Sequence, residues 1–314
     1  MQNLKVVFMG TPDFAVPPLQ KMLECGVQVV AVVTGADKPA GRGLQLASSA
    51  VKKIAQQHGL KILQPEKLND PDFVQSLQAL NANAFIVVAF RILPREVFTI
   101  PAHGTINIHA SLLPKYRGAA PIQWAIINGE SETGVTTFLI TDKVDTGNIL
   151  LQARTPIGPD ETLGELHDRL SHLGAELLLT TLEQIQHGGL RPQPQQGAVT
   201  LAPKITNAVA EIDWRKPARE IRNLIRGLNP APGAFTYWQG KMLKIFRARA
   251  IETEDGNLAP GVIHRVEAKP GNLFVGTGKG LLALEELQLP GKRIVNVSNF
   301  LQGHKISVME QLGR

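Results

Sequence analysis

Hydrophobic residues in the first 190 positions follow two patterns, short continuous apolar runs and longer segments with helical spacing. The runs LKVVFMG at 4–10, VQVVAVVT at 27–34 and AFIVVAF at 84–90 have the length of buried strands. SAVKKIAQQHG at 49–59 and PDFVQSLQALNA at 71–82 have the spacing of helices. Short apolar strands separated by helices predict an α/β fold with a mainly parallel sheet covered on both faces.

The same alternation continues as far as a long helix. GTINIHA at 104–110 predicts a strand and PIQWAIING at 121–129 a helix. GVTTFLI at 134–140 and NILLQA at 148–153 predict two further strands, and leucines recur at helical spacing between 161 and 188. We therefore assign residues 1–189 to one domain.

The pattern changes after this domain. Residues 190–206 are rich in proline, glycine and polar residues, which predicts a linker. Residues 217–228 predict a short helix, with Pro217 suited to its first turn. Between 234 and 289, five short apolar runs separated by glycine-containing turns are typical of a small β-barrel. We predict a second, OB-like domain over residues 207–314.

The net charge of +6 lies entirely in the last third of the chain. Residues 1–205 contain 17 Lys and Arg and 17 Asp and Glu, whereas residues 206–314 contain 16 and 10. The excess is either a well-solvated basic surface or a patch that binds a polyanion. We favour the second interpretation, with nucleic acid as the ligand.

Cysteine content and the start of the chain bear on where the protein works. The single cysteine, Cys25, excludes an internal disulfide and fits a reducing cytoplasm. The first ten residues run into a strand pattern without signal-peptide features, and no apolar run reaches the length of a membrane span. The eight histidines lack metal-binding spacing. We expect a cytoplasmic monomer with no membrane contact and no metal.

The first strand-to-helix turn disfavours a nucleotide cofactor. The turn GTPDF at 10–14 has Gly10 alone, so the G-x-G-x-x-G pattern is absent, and no G-x-x-x-x-G-K-[ST] sequence occurs. NAD and ATP chemistry is therefore disfavoured. The predicted sheet can still bind a ligand at the carboxyl ends of its strands.

The segment INIHASLLPKYRG at 106–118 combines a strand with a polar, proline-containing loop. Asn107 and His109 are two residues apart, so they project from the same face near the end of the strand. Their N–H groups could stabilise an oxyanion at a carbonyl carbon under attack. The alternative is that both side chains are satisfied within a polar strand end.

A carboxylate is the expected third member of such a site. TDKVDTGNIL at 141–150 offers Asp142 and Asp145, and Asp145 precedes the tight-turn signature Thr146-Gly147. An aspartate there could orient and charge-balance the histidine, or take up a proton through it. The alternative is an aspartate that only forms the turn.

The segments at 109–130 and 145–150 resemble the formyltransferases that use 10-formyltetrahydrofolate. VVFMGTPDFAVPPL at 6–19 and DKPAGRG at 37–43 resemble more narrowly the members that act on methionyl-tRNA. The resemblance spans the whole chain and implies a Rossmann-like catalytic domain. It also implies transfer of the formyl group to the α-amino group of methionine on initiator tRNA, for translation initiation.

The resemblance also implies roles for individual residues. The catalytic set falls on Asn107, His109 and Asp145. The folate-binding residues that it implies are Ser111, Leu112, Leu113 and Pro114. The chain departs from the family near Phe90 and Arg91, where a tyrosine and a glycine are frequent.

Two regions are candidates for tRNA binding. Residues 35–47 have little secondary-structure signal and include Lys38 and Arg42. The resemblance implies that this loop enters the tRNA acceptor stem with Arg42 as its main contact, and the alternative is a solvated loop. In the helix at 217–228, three arginines at spacings of three and four should line one exposed side and bind phosphates. They are Arg219, Arg222 and Arg226.

Two other functions remain open from the residues themselves. One is a different folate-dependent formyltransferase that acts on a small amine, such as a nucleotide sugar or a purine precursor. The other is a non-catalytic RNA-binding relative that keeps an inactive sheet domain. The basic last third argues against the first, and the intact Asn, His and Asp set argues against the second.

Overall fold

A computed structural model describes residues 4–40, 45–253, 258–269 and 271–313. By internal contacts the chain forms two compact units. The first unit comprises 1–121, 132–156 and 167–203, and the second comprises 122–131, 157–166 and 204–314. Each unit is therefore made of three separate segments, whereas each predicted domain was one continuous range. The predicted linker belongs as far as residue 203 to the first unit, and two short internal segments belong to the second.

The first unit is built on a seven-stranded sheet with one additional pair of short strands. The strands are β1 Lys5–Gly10, β2 Gln28–Val33, β3 Lys38–Ala40, β4 Gln45–Ala47, β5 Ile62–Leu63, β6 Ala84–Val88, β7 Thr105–His109, β8 Glu132–Leu139 and β9 Ile149–Pro156. The order in the large sheet is β5-β2-β1-β6-β7-β8-β9. The first five strands of this order, from β5 to β7, are parallel to one another. Strands β8 and β9 each run antiparallel to the strand before them in the order. The predicted mainly parallel, Rossmann-like sheet is confirmed.

The helices begin where the sequence supplies helix-starting residues. They are α1 Val16–Glu24, α2 Ala50–Gln57, α3 Pro71–Ala79, α4 Arg95–Phe98, α5 Pro121–Ile127, α6 Leu163–Gln186, α7 Asn207–Ala210, α8 Ala218–Gly227 and α9 Val297–Gly303. The Ser49 side chain accepts a hydrogen bond from the Lys52 N–H at the start of α2. Asp70 does the same for two N–H groups of α3, and Pro71 occupies the first turn of that helix.

One face of the large sheet buries an apolar cluster. Val7, Met9, Val33 and Val87 from the strands pack in one cluster with side chains of α3 and α4, among them Phe73. Burying one large apolar side chain stabilises a fold by about 1.5–3 kcal/mol, so this cluster stabilises the packing of α3 and α4 on the sheet.

The second unit contains a six-stranded antiparallel sheet. Its strands are β10 Ala234–Trp238, β11 Lys241–Ile251, β12 Ile263–Glu267, β13 Asn272–Gly276, β14 Leu281–Gln288 and β15 Val295–Asn296. Five of them lie where the sequence predicted strands, and they run in the order β10-β11-β14-β13-β12, with β15 paired to β14. The prediction of a small, OB-like β-domain at the carboxyl-terminal end is confirmed, and its sheet is antiparallel. Helix α8 packs on this sheet through Ile221 and Ile225.

The segment 35–47 differs from its prediction as a loop without secondary structure. Strands β3 and β4 pair antiparallel, with Lys38 opposite Ala47. Residues 41–44 between them lie outside the described residues. Among the helices in the described parts of the chain, none combines the length and apolar composition needed to cross a membrane.

Candidate active site

The candidate site lies at the carboxyl end of β7, between β6 and β8. Asn107 is paired with Val87 of β6 and Phe138 of β8, and His109 with Thr136 of β8. The two side chains share a face because they are two residues apart on one strand. The sequence therefore folds both polar groups to one side of a central strand, where open α/β sheets place their ligand crevices.

His109 is held between two loops. Its side chain is 6% exposed, and its Nε2 donates a hydrogen bond to the Tyr116 carbonyl at 2.8 Å. Its Nδ1 lies 3.8 Å from Asp145 Oδ2, which is ion-pair range but longer than a hydrogen bond. The Nε2–H tautomer is thus fixed by Tyr116, and the other ring nitrogen faces the carboxylate.

Asp145 is held in a turn of unusual backbone conformation. Its φ is +53°, in the left-handed region that aspartate tolerates better than most residues. Its Oδ2 accepts a hydrogen bond from the Gly118 N–H at 2.8 Å. Gly147 has no room for a side chain, because a Cβ there would collide with the Leu139 carbonyl. The tight turn expected from the sequence therefore holds the carboxylate toward His109.

Asp142, the other aspartate considered, lies elsewhere. It is exposed and pairs with Arg95 at 2.7 Å. An exposed pair of this kind contributes little to stability, and its carboxylate is not directed at His109.

Asn107 has a different environment from His109. The residue is half-buried, and no hydrogen bond of its side-chain amide is formed with any residue within 4–40, 45–253, 258–269 or 271–313. A half-buried amide with unused donors can bind an oxygen that carries negative charge.

The segment from Ser111 to Pro114 is fixed by two polar side chains of the antiparallel strands. Thr136 Oγ1 donates to the Ser111 carbonyl at 2.6 Å and accepts from the Leu113 N–H at 3.1 Å. Gln152 donates to the Leu113 carbonyl at 2.9 Å. Ser111, Leu113 and Pro114 are buried, and Leu112 is half-buried. The segment is thus a rigid wall beside His109.

Phe90 and Arg91 follow β6 at the same edge of the sheet. The Arg91 guanidinium donates to the carbonyls of Pro65 and Glu66 at 2.8 and 2.9 Å, and it lies 5.2 Å from the centre of the Phe90 ring. Arg91 therefore ties the loop after β6 to the loop after β5.

The candidate tRNA-binding residues of 35–47 are described in part. Lys38 is exposed in β3, and Arg42 lies outside the described residues. At the base of this segment, Asp37 pairs with Lys52 at 2.6 Å and accepts from Gln64 at 3.2 Å. The hydrogen bonds from Lys52 and Gln64 lower the pKa of Asp37.

The arginines of α8 correct the expectation of one exposed row. Arg219 is exposed. Arg222 is half-buried and donates to the Pro159 carbonyl and to Asp160. Arg226 is 9% exposed, and its guanidinium donates to the carbonyls of 158 and 161 and to Asn223.

Burial lowers the pKa of the Arg226 guanidinium, with nearby Arg222 adding to the effect. The buried arginine thus donates through Nε and Nη1 to groups of its own unit.

Sequence reasoning missed a segment that crosses the site. Residues 193–202, here called the strap, fall in the predicted linker but pack on the first unit. Gln195 bonds to Arg117, Asp145 and Gly147, and Thr200 bonds to Tyr116. A glutamine in a stretch rich in proline, glycine and glutamine carries no sequence signal for such contacts. Within the described ranges, no group of three or more His, Cys, Asp or Glu could hold a metal ion.

The sequence matches the profile of the Formyl transferase family over residues 4–182 and that of the Formyl transferase C-terminal domain over 204–305. It is 48% identical over 306 residues to methionyl-tRNA formyltransferase of Caldanaerobacter subterraneus. The match covers 96% of this chain and 98% of the relative.

Two solved structures share the fold. HypX from Aquifex aeolicus in complex with tetrahydrofolic acid is 18% identical with a TM-score of 0.64, and covers 97% of this chain and 50% of that one. Methionyl-tRNA formyltransferase from Clostridium thermocellum is 16% identical with a TM-score of 0.55, and covers 82% of this chain and 96% of that one.

Proposed function

Because the chain belongs to the methionyl-tRNA formyltransferases, it formylates initiator methionyl-tRNA with a folate-derived formyl donor, and we propose that Asn107, His109 and Asp145 carry this transfer. The donor in this proposal is 10-formyltetrahydrofolate. The observation that supports it best is the position of His109, whose Nδ1 faces Asp145 at 3.8 Å. On the same face of the strand, the amide of Asn107 forms no hydrogen bond with the described residues.

The proposed reaction is an acyl transfer between two nitrogens. The methionine α-amino nitrogen attacks the formyl carbon, and the formyl oxygen takes the negative charge. Asn107 donates hydrogen bonds to that oxygen. Groups of this kind are worth about 10²–10³ in turnover when they act in the transition state. The C–N bond to the folate then breaks and the carbonyl re-forms.

Protons must move during the same reaction. The attacking amine loses a proton, and the folate nitrogen that leaves gains one. We assign this transfer to His109, and general acid–base catalysis of this kind contributes about 10²–10⁴. When His109 takes up the proton, the Asp145 carboxylate balances the added charge. The hydrogen bond from Nε2 to Tyr116 keeps the ring in one orientation.

The folate is assigned to the crevice at the carboxyl ends of β6 and β7. The segment from Ser111 to Pro114 forms one wall of this crevice, and Thr136 and Gln152 keep that wall rigid. A fixed wall places the formyl carbon against the catalytic residues without a further loss of loop entropy.

For the tRNA, we assign contacts to Lys38, Arg42 and Arg219. Lys38 and Arg219 are exposed. Arg222 and Arg226 are assigned instead to the structure of the second unit, because both guanidinium groups donate hydrogen bonds to segment 157–161. We further propose that the protein works as a monomer in the cytoplasm.

One assay separates this proposal from its alternatives. Initiator tRNA charged with methionine is incubated with 10-formyltetrahydrofolate, and formylmethionine is measured beside filter binding of the same tRNA. We expect rapid formylation of the charged tRNA and none of an amino sugar nucleotide. Binding of tRNA without formylation would indicate a non-catalytic relative, and preference for the sugar would indicate a different acceptor.

A further inference from the structure

The strap joins the two loops that hold His109. Its first anchor is a pair of backbone hydrogen bonds of 2.8 Å between Gln193 and Ile149, directly after the Asp145 turn. Its second anchor is Arg117, whose N–H donates to the Thr200 carbonyl at 3.0 Å and whose carbonyl accepts from the Ala202 N–H at 2.7 Å. The strap thus contacts both sides of the site from one continuous stretch of chain.

Gln195 lies between these anchors and uses both ends of its amide. Its Oε1 accepts from Arg117 Nε at 3.1 Å and from Arg117 Nη2 at 2.6 Å. Its Nε2 donates to the Asp145 and Gly147 carbonyls, both at 2.9 Å. Two acceptors on one side and a cation on the other require a group with an NH₂ and an oxygen, which only a primary amide supplies.

The loops need such a link because neither is in a relaxed conformation. Asp145 has a φ of +53° and Tyr116 a φ of +60°, and non-glycine residues keep such values only when their surroundings hold them. At Gly118, whose N–H binds Asp145, an added Cβ would approach the Ala202 carbonyl to 2.7 Å. The strap, the loop at 116–118 and the Asp145 turn are therefore packed against one another.

From these contacts, we propose that Gln195 is a positioning residue for formyl transfer. It fixes the Asp145 carboxylate relative to the Tyr116 carbonyl, and these are the two groups that His109 faces. The inference rests on the proposed roles of His109 and Asp145. Gln195 acts through Asp145 and Arg117 and touches no reacting atom.

The first test is Gln195→Ala in the full-length enzyme. A displaced catalytic group slows turnover, so we expect kcat to fall by about 10- to 100-fold. The KM values for folate and for tRNA should stay within about threefold, because the binding surfaces are unchanged. Gln196→Ala is the matched control, since Gln196 is the exposed neighbour in the strap, and its kcat should equal that of the wild type.

The measurements are made well below each variant's Tm, with folding followed by circular dichroism. A loss of kcat that matches a loss of folded protein would overturn the proposal. A rise in KM with kcat unchanged would overturn it as well, because that would indicate binding rather than positioning.

Gln195→Glu tests which half of the amide matters. A glutamate keeps an acceptor for Arg117 but cannot donate to the carbonyls of Asp145 and Gly147. We expect its kcat to fall at least as far as that of Gln195→Ala. Turnover at the wild-type rate would show that the link to the Asp145 turn is dispensable, and the proposal would be wrong.

A double-mutant cycle with Asp145→Asn completes the test. If Gln195 acts through Asp145, the double variant is no slower than Asp145→Asn alone. Multiplied effects would place the action of Gln195 elsewhere and refute the proposal. Full activity in Asp145→Asn would instead defeat the proposed function, whereas a slow Asp145→Asn beside a fully active Gln195→Ala would defeat this inference alone.

Discussion

The end of β7 and the helix α8 both carry polar side chains that the sequence predicted to be functional. The two sets of side chains differ in their hydrogen bonding. At the strand end, the Asn107 amide forms no hydrogen bond with the described residues, and His109 faces a carboxylate. On the helix, Arg226 is buried, and its guanidinium binds two carbonyls of its own unit.

The difference lies in what covers each face. A period of two on a strand or of three to four on a helix shows which side chains share a face. It does not show whether a distant segment packs over that face. Segment 157–161 accepts hydrogen bonds from Arg222 and Arg226 of α8, whereas the Asn107 amide at the end of β7 forms no hydrogen bond with the described residues. Hydrogen bonding by distant segments, rather than position on a face, therefore distinguishes the two regions.

Removing the polar side chains at the end of β7 should have the largest effect. We expect Asn107→Ala to lower turnover by about 10²–10³ and His109→Ala by about 10²–10⁴, because oxyanion stabilisation and proton transfer are assigned to these two groups. Binding of tRNA should stay within a few-fold of wild type. Formylation rates and filter binding measure the two quantities. His58→Ala, an exposed histidine at the end of α2, is the control. Turnover near the wild-type rate in Asn107→Ala would refute the oxyanion role, and the same result in His109→Ala would refute the proton-transfer role.

Asp145→Asn should have the next largest effect. Asparagine tolerates the left-handed conformation and can still accept the Gly118 hydrogen bond, so folding should be preserved. The loss of charge beside His109 should lower turnover by about 10²-fold near neutral pH. Asp142→Asn is the matched control and should be fully active. A steep fall in Tm, with normal activity in the protein that stays folded, would make Asp145 a structural residue instead.

Unlike the variants above, Arg226→Met should lower the stability of the protein and have little effect on turnover. Two partly buried carbonyls lose their donor, which should lower the free energy of unfolding by about 1–3 kcal/mol. Tryptophan fluorescence in a denaturant titration reports this unit selectively, because Trp124, Trp214 and Trp238 all belong to it. Arg219→Met should change the stability by less than about 0.5 kcal/mol, since the residue is exposed. Equal stability losses in both variants would contradict the assignment.

Arg219→Ala should have the smallest effect, confined to tRNA affinity. Loss of one phosphate contact should reduce the slope of log binding constant against log salt by about one. Filter binding at several salt concentrations measures this slope, with kcat at saturating tRNA as the second readout. Arg154→Ala, which removes an arginine paired with Glu132 in the first unit, is the control. An unchanged slope for Arg219→Ala would show that this arginine does not contact the tRNA.

These experiments are best performed on the full chain. A fragment that ends at 205 would retain segments 122–131 and 157–166 without the rest of their unit. Ile126 and Ile127, for example, lie against Gly227 of α8, so truncation would expose apolar surface. A loss of tRNA binding in such a fragment would mix misfolding with a loss of charge.

The sequence by itself determined most of the strands and helices, and it placed Asn107 and His109 on one face of β7. Continuous apolar runs form the buried parallel strands, and alternation of side chains along β7 puts the two polar groups on one face, because both are local consequences of backbone geometry. The turn at Asp145 was also readable, since Thr146-Gly147 marks a tight turn locally.

Only the tertiary structure decided which polar groups form hydrogen bonds within the protein. The hydrogen bonds of Gln195 to Asp145 and of Arg226 to residue 161 join positions 50 and 65 residues apart. No local pattern encodes such contacts, because they form only when distant segments pack together. For this reason, residues 193–202 of the predicted linker contact the loops beside His109, and two of the three arginines predicted to be exposed are buried or half-buried.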